Sequence, residues 1–195
     1  MAEADRRRWN ERYAQGEIDL SPVPRLVHLE RFLRPAPGAP ARALDVACGA
    51  GRNALYLAGL GYTVDAWDVS EAGLAHLTRA AQEGGLASQV QVRQIDLDGA
   101  QLPVAQYGLA LDTYFLDRRL LPAMAAAVKP GGLLFMETLL STPQKPGRPD
   151  YYLQPGELRA AFPSYAELFY EENTTEGWAA LLARRLPDAT GEHPT

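Results

Sequence analysis

Apolar and polar positions alternate in blocks that predict strands and helices in turn along most of the chain. Short apolar runs predict strands and longer periodic segments predict helices, with strands at 43–47, 63–69, 89–95, 109–113 and 133–139 and helices at 52–60, 71–83 and 116–128. The predicted strand at 133–139 is almost wholly apolar, as expected of a strand buried on both faces. Repeated β–α units of this length predict an α/β fold, a doubly wound parallel sheet covered by helices on both sides.

Segments on either side of these units complete the predicted domain. Residues 2–15 predict a helix with Trp9 and Tyr13 one turn apart, residues 26–33 a second short helix, 35–40 a loop and 155–162 a further helix. Residues 165–172 and 178–185 are too close for a crossover helix between them, which predicts an antiparallel hairpin. We expect one domain over 1–195, with a helical lid at 1–34, an α/β core at 41–186 and a tail at 187–195.

Composition limits the classes of protein to consider. The 195 residues are 47% hydrophobic with a net charge of −5, which fits a globular domain and argues against a nucleic-acid partner. No apolar run approaches the ~20 residues of a membrane helix, and the charged start is unlike a secretory signal. Cys48 is the single cysteine, and the three histidines have no metal-ligand spacing. We expect a cytoplasmic protein with no metal site.

The segment 45–52, D-V-A-C-G-A-G-R, joins a buried strand to a helix. Gly49 and Gly51 allow a tight turn and a close approach of the backbone to a ligand, and the following helix offers free N–H groups. In a doubly wound sheet this position lies at the carboxyl ends of the strands, where ligands bind. The segment therefore predicts a ligand site.

Three aspartates follow or end the first strands, and we expect Asp45, Asp68 and Asp96 to share one edge of the sheet. The dinucleotide fingerprint is incomplete, because Ala54 stands where its third glycine belongs. An acidic rim disfavours a pyrophosphate and favours a cationic ligand with a ribose, a description that S-adenosylmethionine meets. Alternatives to these ligand roles remain open. Asp45 accepts hydrogen bonds from the backbone N–H groups of its own turn, Asp68 only precedes the helix N-cap at Ser70, and Asp98 rather than Asp96 contacts the ligand.

Three runs, at 43–53 (A-L-D-V-A-C-G-A-G-R-N), 64–70 (V-D-A-W-D-V-S) and 129–138 (K-P-G-G-L-L-F-M-E-T), resemble class I S-adenosylmethionine-dependent methyltransferases. The W-N-E-R-Y at 9–13 and the short length resemble the small-molecule branch that includes tellurite-resistance and thiopurine-type enzymes. The resemblance covers roughly residues 9–186. It implies a Rossmann-like, mostly parallel seven-stranded sheet with a C-terminal antiparallel hairpin.

The resemblance also implies the residues that bind the cofactor. Asp45, Ala47, Gly49 and Gly51 would surround its methionine part, and Asp68 would hold the ribose. The adenine would lie beside Val69, Asp96 and Leu97, and Asp112 would face the transferred methyl group and the substrate.

The sequence favours a small-molecule acceptor. The Pro-Pro pair that follows the acidic residue in enzymes that methylate amines of DNA bases is absent after Asp112, where Tyr114 and Phe115 predict an aromatic wall instead. Candidate bases are Asp112, Tyr114 and Glu137. The 141–150 loop either closes over the substrate or is a solvated connector. A non-catalytic module that binds S-adenosyl ligands is the alternative function.

Overall fold

A computed structural model describes residues 3–16, 18–36, 38 and 41–187. The strands are β1 Arg42–Val46, β2 Thr63–Asp68, β3 Val90–Gln94, β4 Tyr107–Thr113, β5 Val128–Leu139, β6 Tyr165–Asn173 and β7 Trp178–Arg185. The helices are α1 Glu3–Gln15, α2 Pro24–His28, α3 Glu30–Leu33, α4 Arg52–Gly59, α5 Glu71–Glu83, α6 Leu121–Ala127 and α7 Glu157–Ala160. The predicted helix start at Ala2, positions 37, 39 and 40 of the predicted loop and the tail from 188 lie outside the described residues.

The seven strands form one sheet in the order β3-β2-β1-β4-β5-β7-β6. Strands β1 to β5 pair in parallel, whereas β7 pairs antiparallel with both β5 and β6. This confirms the predicted mostly parallel sheet with a C-terminal hairpin. Because β1 lies between β2 and β4, the turn after Val46 emerges between the ends of those two strands.

Side chains of the sheet alternate between two apolar layers, one on each face. Leu44, Val46 and Leu134 pack with α6 and α7, while Leu109 and Phe135 pack with α2 to α5 on the opposite face. All five of these side chains are fully buried. Burial on both faces explains the near-continuous apolar runs of the central strands.

Two predicted boundaries around α6 are wrong. The helix begins at Leu121 rather than at 116, because residues 117–120 form a turn in which Leu120 N–H donates to the Asp117 carbonyl, and Pro122 favours a helix start at this point. The segment 129–132, predicted only to end the helix, belongs to β5, which begins at Val128 opposite Tyr107. A register shift after Tyr107 accommodates this extension.

The short helices also differ from their predicted lengths. The segment 26–33 is divided at Leu29, whose ψ of 6° interrupts the helical backbone while its side chain stays buried. The helix predicted at 155–162 is shorter in the structure, where only α7, Glu157–Ala160, is helical. Burial of leucines on both sides of the break, rather than helix continuity, satisfies the apolar pattern at 26–33.

Helix α1 packs along α5 through polar contacts at the N-terminus of α5. The Asn10 side-chain oxygen accepts hydrogen bonds from the Ser70 hydroxyl (2.8 Å) and the Ala72 N–H (3.1 Å), and His76 Nε2 lies 3.0 Å from the Tyr13 carbonyl oxygen. Ser70 in turn caps α5 by accepting from Gly73 N–H. Asn10 therefore fixes α1 against the end of the second strand.

We predict that Asn10→Ala releases α1 without unfolding the sheet. Loss of a cap-type interaction costs about 1 kcal/mol, which corresponds to an increase of about fivefold in local opening. Hydrogen exchange followed by mass spectrometry should show faster exchange in α1 and unchanged exchange in β1 and β4. The exposed neighbour Glu11→Ala serves as the control, and equal exchange in the two variants would contradict the role of Asn10.

A second prediction concerns the glycine turn. Gly51 has a φ of +83°, and a Cβ at this position would lie 2.2 Å from Cδ1 of Leu77, which is fully buried. Gly51→Ala should therefore lower the free energy of unfolding by about 2–5 kcal/mol, from backbone strain and overpacking together. Gly85→Ala is the matched control, because Gly85 has a φ of +70° and open space around its Cα. A chemical denaturation series that gives equal losses for both variants would refute the packing argument.

Candidate functional site

A cavity of about 660 Å³ lies at the carboxyl ends of β1, β2 and β4, beneath α1. The glycine turn contributes Ala47, Cys48 and Ala50, and the end of β2 contributes Asp68 and Val69. Its other lining residues come from α1 and its following loop, from α4 and from the ends of later strands: Trp9, Arg12, Tyr13, Gly16, Ile18, Asp19, Arg52, Leu97, Thr113, Tyr114, Phe115 and Leu139. We call it the first cavity.

Asp68 ties the glycine turn to the start of α5. One carboxylate oxygen accepts a hydrogen bond from Gly49 N–H and the other from Ser70 N–H, both at 2.7 Å. Burial raises the pKa of Asp68, while these N–H donors act in the opposite direction. The alternative that Asp68 supports the Ser70 cap therefore describes part of its role, and the same carboxylate also lines the cavity.

Asp45 carries a buried carboxyl group in which neither oxygen has a hydrogen-bond partner among the described residues. Its burial and the nearby charge of Asp68 raise the pKa of Asp45 to about 8. The Ala54 N–H and the charge of Arg52 lower the pKa of Asp45, but these effects are smaller than those of burial and of Asp68. A buried polar group without a partner is costly, so Asp45 is a candidate for contact with a ligand.

The expected acidic rim is reduced to one residue. Asp68 lines the first cavity, whereas Asp45 lies behind the turn and Asp96 is exposed, with its carboxylate accepting from Asp98 N–H. Asp112 is buried and accepts a bond from Phe115 N–H, and burial raises its pKa well above the usual range. The short turn after β3 points Asp96 away while Leu97 packs inward.

The predicted site residues divide into two groups. Those that line the first cavity are Ala47, Asp68, Val69, Leu97 and Tyr114; those that do not are Asp45, Gly49, Gly51, Asp96, Asp112 and Glu137. The two glycines shape the turn instead of lining it. Tyr13 crosses the turn so closely that a Cβ on Gly49 would lie 2.1 Å from its hydroxyl oxygen.

Glu137 holds Tyr114 at the edge of the first cavity. Its carboxylate, fully buried, accepts two hydrogen bonds from Arg25 (2.6 Å each) and one from the Tyr114 hydroxyl (2.6 Å). Burial, followed by the hydrogen bond and charge of Glu137, raises the pKa of Tyr114 to about 12. Tyr114 is therefore a hydrogen-bond donor near neutral pH, and the Glu137 carboxylate is enclosed by its partners.

Several contributors to the site were missed from the sequence. Asn53 accepts a hydrogen bond from Val23 N–H and donates to the Thr113 hydroxyl (2.9 Å), which connects the N-terminal segment to the end of β4. Arg25 and Asn10 were missed as well. The available signal was a polar residue inside an apolar helical pattern, as at Asn53, but its partners lie too far along the chain to be inferred.

Two cations line the first cavity without a salt bridge to any described residue: Arg12, whose guanidinium lies 5.3 Å from the Trp9 ring centroid, and Arg52, 5.6 Å from that of Tyr114. Cys48 also faces the cavity, but burial, Asp45 and Asp68 raise its pKa well above the ordinary value, so it is a neutral thiol. The described residues contain no group of three potential metal ligands. No helix in the described part of the chain has the length and apolar character of a membrane span.

Comparison with known proteins identifies relatives of this chain. Residues 37–180 match the family described as tellurite resistance protein TehB. A relative from Haemophilus influenzae (strain Rd), named probable S-adenosyl-L-methionine-dependent methyltransferase TehB, is 29% identical over 147 residues, which cover 71% of this chain and 50% of the relative. The chain thus spans about half the length of the curated relatives it matches.

Solved structures agree on the fold. The crystal structure of TehB from Haemophilus influenzae has a TM-score of 0.70 and 24% identity, covering 92% of this chain and 66% of that chain. An S-adenosylmethionine-dependent methyltransferase from Mesorhizobium loti has a TM-score of 0.67 and 19% identity, covering 86% of this chain and 100% of that chain. The family match over residues 37–180 includes the glycine turn, β2 and β5, and the chain belongs to the TehB family.

Proposed function

We propose that this protein is a methyltransferase that uses S-adenosylmethionine to methylate a small-molecule nucleophile. The observation that carries the proposal is the Asp68 carboxylate, which lines the first cavity beside the glycine turn and keeps a lone pair on each oxygen beyond the one used by a backbone N–H. A ligand with ribose hydroxyls would donate hydrogen bonds to this carboxylate, whereas a phosphate would be repelled by it. The names of the Haemophilus influenzae relatives support the same activity.

The residues present fit this cofactor. Asp68 would accept hydrogen bonds from the ribose hydroxyls, since each carboxylate oxygen has a lone pair beyond the one used by a backbone N–H. Val69 and Leu97 line the first cavity and offer an apolar environment for the adenine. Asp45, whose carboxyl group has no hydrogen-bond partner among the described residues, would bind the amino group of the methionine part.

The other end of the cofactor has candidate partners too. Arg52, without a salt bridge among the described residues, would bind the carboxylate of the methionine part. Ala47 faces the same part of the cavity, and Gly49 and Gly51 set the path of the turn around it. The third glycine of the dinucleotide fingerprint is replaced by the fully buried Ala54, which supports this ligand over NAD.

The chain contributes to methyl transfer mainly by positioning. When bound, S-adenosylmethionine supplies a methyl group on a positively charged sulfur, an already activated leaving group. Asp112 is buried outside the first cavity and the Glu137 carboxylate is enclosed, so neither is placed to accept a proton from an acceptor there. The raised pKa of Tyr114 keeps its hydroxyl protonated near neutral pH, so it is not available to accept a proton. We infer an acceptor that gives up its proton to water or reacts as an anion.

The N-terminal segment 1–34 would act as the lid of this site within a single domain over 1–195. Trp9 stacks on Tyr13 at a ring-centroid distance of 5.9 Å, and both line the first cavity. The net charge of −5 supports an acceptor other than DNA or RNA. The single cysteine supports a cytoplasmic location.

Calorimetric titration and turnover together test the proposed function. We expect S-adenosylhomocysteine to bind with one ligand per chain and NAD not to bind. Incubation with labelled S-adenosylmethionine and a panel of thiols, phenols and oxyanions should give a methylated product. Binding without any turnover would favour the non-catalytic module, and tighter binding of NAD would contradict the proposal.

We predict that Asp68→Asn weakens binding of S-adenosylhomocysteine at least about tenfold, because charge-assisted hydrogen bonds to the ribose are lost. The variant should also be less stable, since Asp68 supports the turn through Gly49 and Ser70. Titration calorimetry measures the affinity, and thermal unfolding without ligand measures the stability.

Asp65→Asn provides the matched control for Asp68. Asp65 is a buried aspartate of the same strand that accepts hydrogen bonds from Arg42 and Tyr107 and does not line the first cavity. The Asp65→Asn variant should be less stable to thermal unfolding but should bind S-adenosylhomocysteine with unchanged affinity. Unchanged affinity in Asp68→Asn, or an equal loss in both variants, would show that the ribose assignment is wrong.

The raised pKa of Asp45 generates a prediction about pH. In the folded protein without ligand Asp45 keeps its proton up to about pH 8, whereas in the unfolded chain it ionises near 3.8. Between these values the folded state holds one more proton, so this group makes the free energy of unfolding fall as pH rises. Asp45→Asn should make the slope less negative by up to about 1.4 kcal/mol per pH unit. Denaturation curves from pH 5 to pH 7 with the same slope in both proteins would contradict the assignment.

A further inference from the structure

A second cavity, of about 810 Å³, adjoins the first beyond the carboxyl ends of β4 and β5. Both cavities are lined by Trp9, Arg12, Tyr114, Phe115 and Leu139, so these five residues belong to a wall that the two cavities share. The second cavity takes the rest of its wall from α1, from Asp98 in the loop after β3, from residues 116–119 before α6 and from residues 150–152.

The charged residues of the second cavity largely neutralise one another. It is lined by four arginines and four aspartates. Salt bridges join Arg8 to Asp5 (3.0 Å), Arg119 to Asp117 (2.8 Å) and Arg118 to Glu157. Only Arg12 among these arginines makes no salt bridge to a described residue, and its guanidinium lies over the Trp9 ring. The arginines and aspartates of this wall are therefore equal in number, and Arg12 is the one of these arginines that no described carboxylate pairs.

Aromatic rings form the other prominent part of the wall. Five of the fifteen lining residues are aromatic: Trp9, Tyr114, Phe115, Tyr151 and Tyr152. Gly147 lies directly on the Tyr152 ring, because a Cβ there would be 2.0 Å from the ring, and the Arg148 guanidinium lies 4.9 Å from the Tyr151 ring centroid. The loop between β5 and α7 thus holds two aromatic rings in the wall of the second cavity.

Tyr114 stands at the junction of the two cavities in a strained conformation. Its φ of 61° is unusual for a residue with a side chain, and such strain persists where surrounding contacts impose it. Glu137 binds it at both ends: Tyr114 N–H donates to the Glu137 carbonyl oxygen (2.7 Å) and its hydroxyl to the carboxylate. Arg25 secures Glu137 and lies 3.4 Å from the centroid of the Trp178 ring. The Tyr114 ring is therefore a fixed wall at the junction.

We propose that the second cavity binds the methyl acceptor and that this acceptor is a neutral, planar aromatic molecule. Planar rings match the aromatic walls, and three of the four arginines of this wall are already paired with carboxylates, so that an oxyanion would have only Arg12 among them, which is stacked on Trp9. Glu137 and Arg25 are positioning residues, because they hold Tyr114 at the boundary without lining either cavity themselves. This inference rests on the proposed function, which places the methyl donor in the first cavity.

Binding of a matched pair of probes to the full chain saturated with S-adenosylhomocysteine tests the proposal. β-Naphthol is neutral and planar, whereas decahydro-β-naphthol has the same carbon skeleton without the aromatic rings. We expect calorimetry to give at least about fivefold tighter binding of β-naphthol, and β-naphthoate should bind no tighter than β-naphthol.

Variants locate the binding. Tyr151→Leu keeps an apolar side chain but removes the aromatic ring. This variant should bind β-naphthol about threefold to tenfold more weakly. Tyr170→Leu is the matched control, because the Tyr170 ring is also stacked by an arginine, Arg159 at 4.4 Å, but lies outside both cavities. It should leave the affinity unchanged.

Three outcomes would overturn the proposal: equal binding of the two naphthols, tighter binding of the naphthoate, or an equal effect of the two tyrosine variants. The titrations are repeated without S-adenosylhomocysteine. If S-adenosylhomocysteine itself fails to bind, the proposed function is contradicted, while the selectivity between the two naphthols still tests the aromatic site.

Discussion

The carboxylate of Asp68 joins the parts of the molecule on which the site depends. It receives one N–H from the glycine turn after β1 and one from Ser70, the second residue after β2, so two adjacent strand ends are held at a fixed separation. The turn can approach α5 because Gly73 has no side chain; a Cβ there would lie 2.9 Å from the Gly49 carbonyl oxygen. Helix α1 then packs on this junction through Asn10 and Tyr13, and the first cavity is the space that remains.

A partly buried ion pair performs the corresponding task on the other side of the site. Arg25, from the N-terminal segment, and Glu137, from β5, are 112 positions apart in the chain and form two hydrogen bonds of 2.6 Å. Glu137 is fully buried and Arg25 partly exposed, so removal of Arg25 would leave a buried carboxylate without its charge partner, which is destabilising. The ion pair holds Tyr114 through the hydrogen bond from the Tyr114 hydroxyl to Glu137. It thereby keeps this strained aromatic residue in place at the boundary between the two cavities.

The sequence was sufficient to predict the central β–α units and their order in a mostly parallel sheet, because apolar periodicity and glycine turns are local signals. It was insufficient at α6 and β5, where the pairing of Val128 with Tyr107 overrides the Pro-Gly-Gly stop. Of the residues predicted at the ligand edge, Ala47, Asp68, Val69 and Leu97 line the first cavity, whereas Asp96 is exposed and Asp45 lies behind the turn. Side-chain direction in a short turn depends on contacts between distant segments, as does the Asn10 contact with Ser70, and periodicity does not encode it.

A crystal structure with bound S-adenosylhomocysteine is the most direct test of the central claim. The account predicts the ribose hydroxyls within hydrogen-bond distance of the Asp68 carboxylate, the amino group beside Asp45, and the sulfur directed toward Tyr114 and the second cavity. A ligand whose ribose is bound by other residues, or whose sulfur faces away from Tyr114, would contradict it.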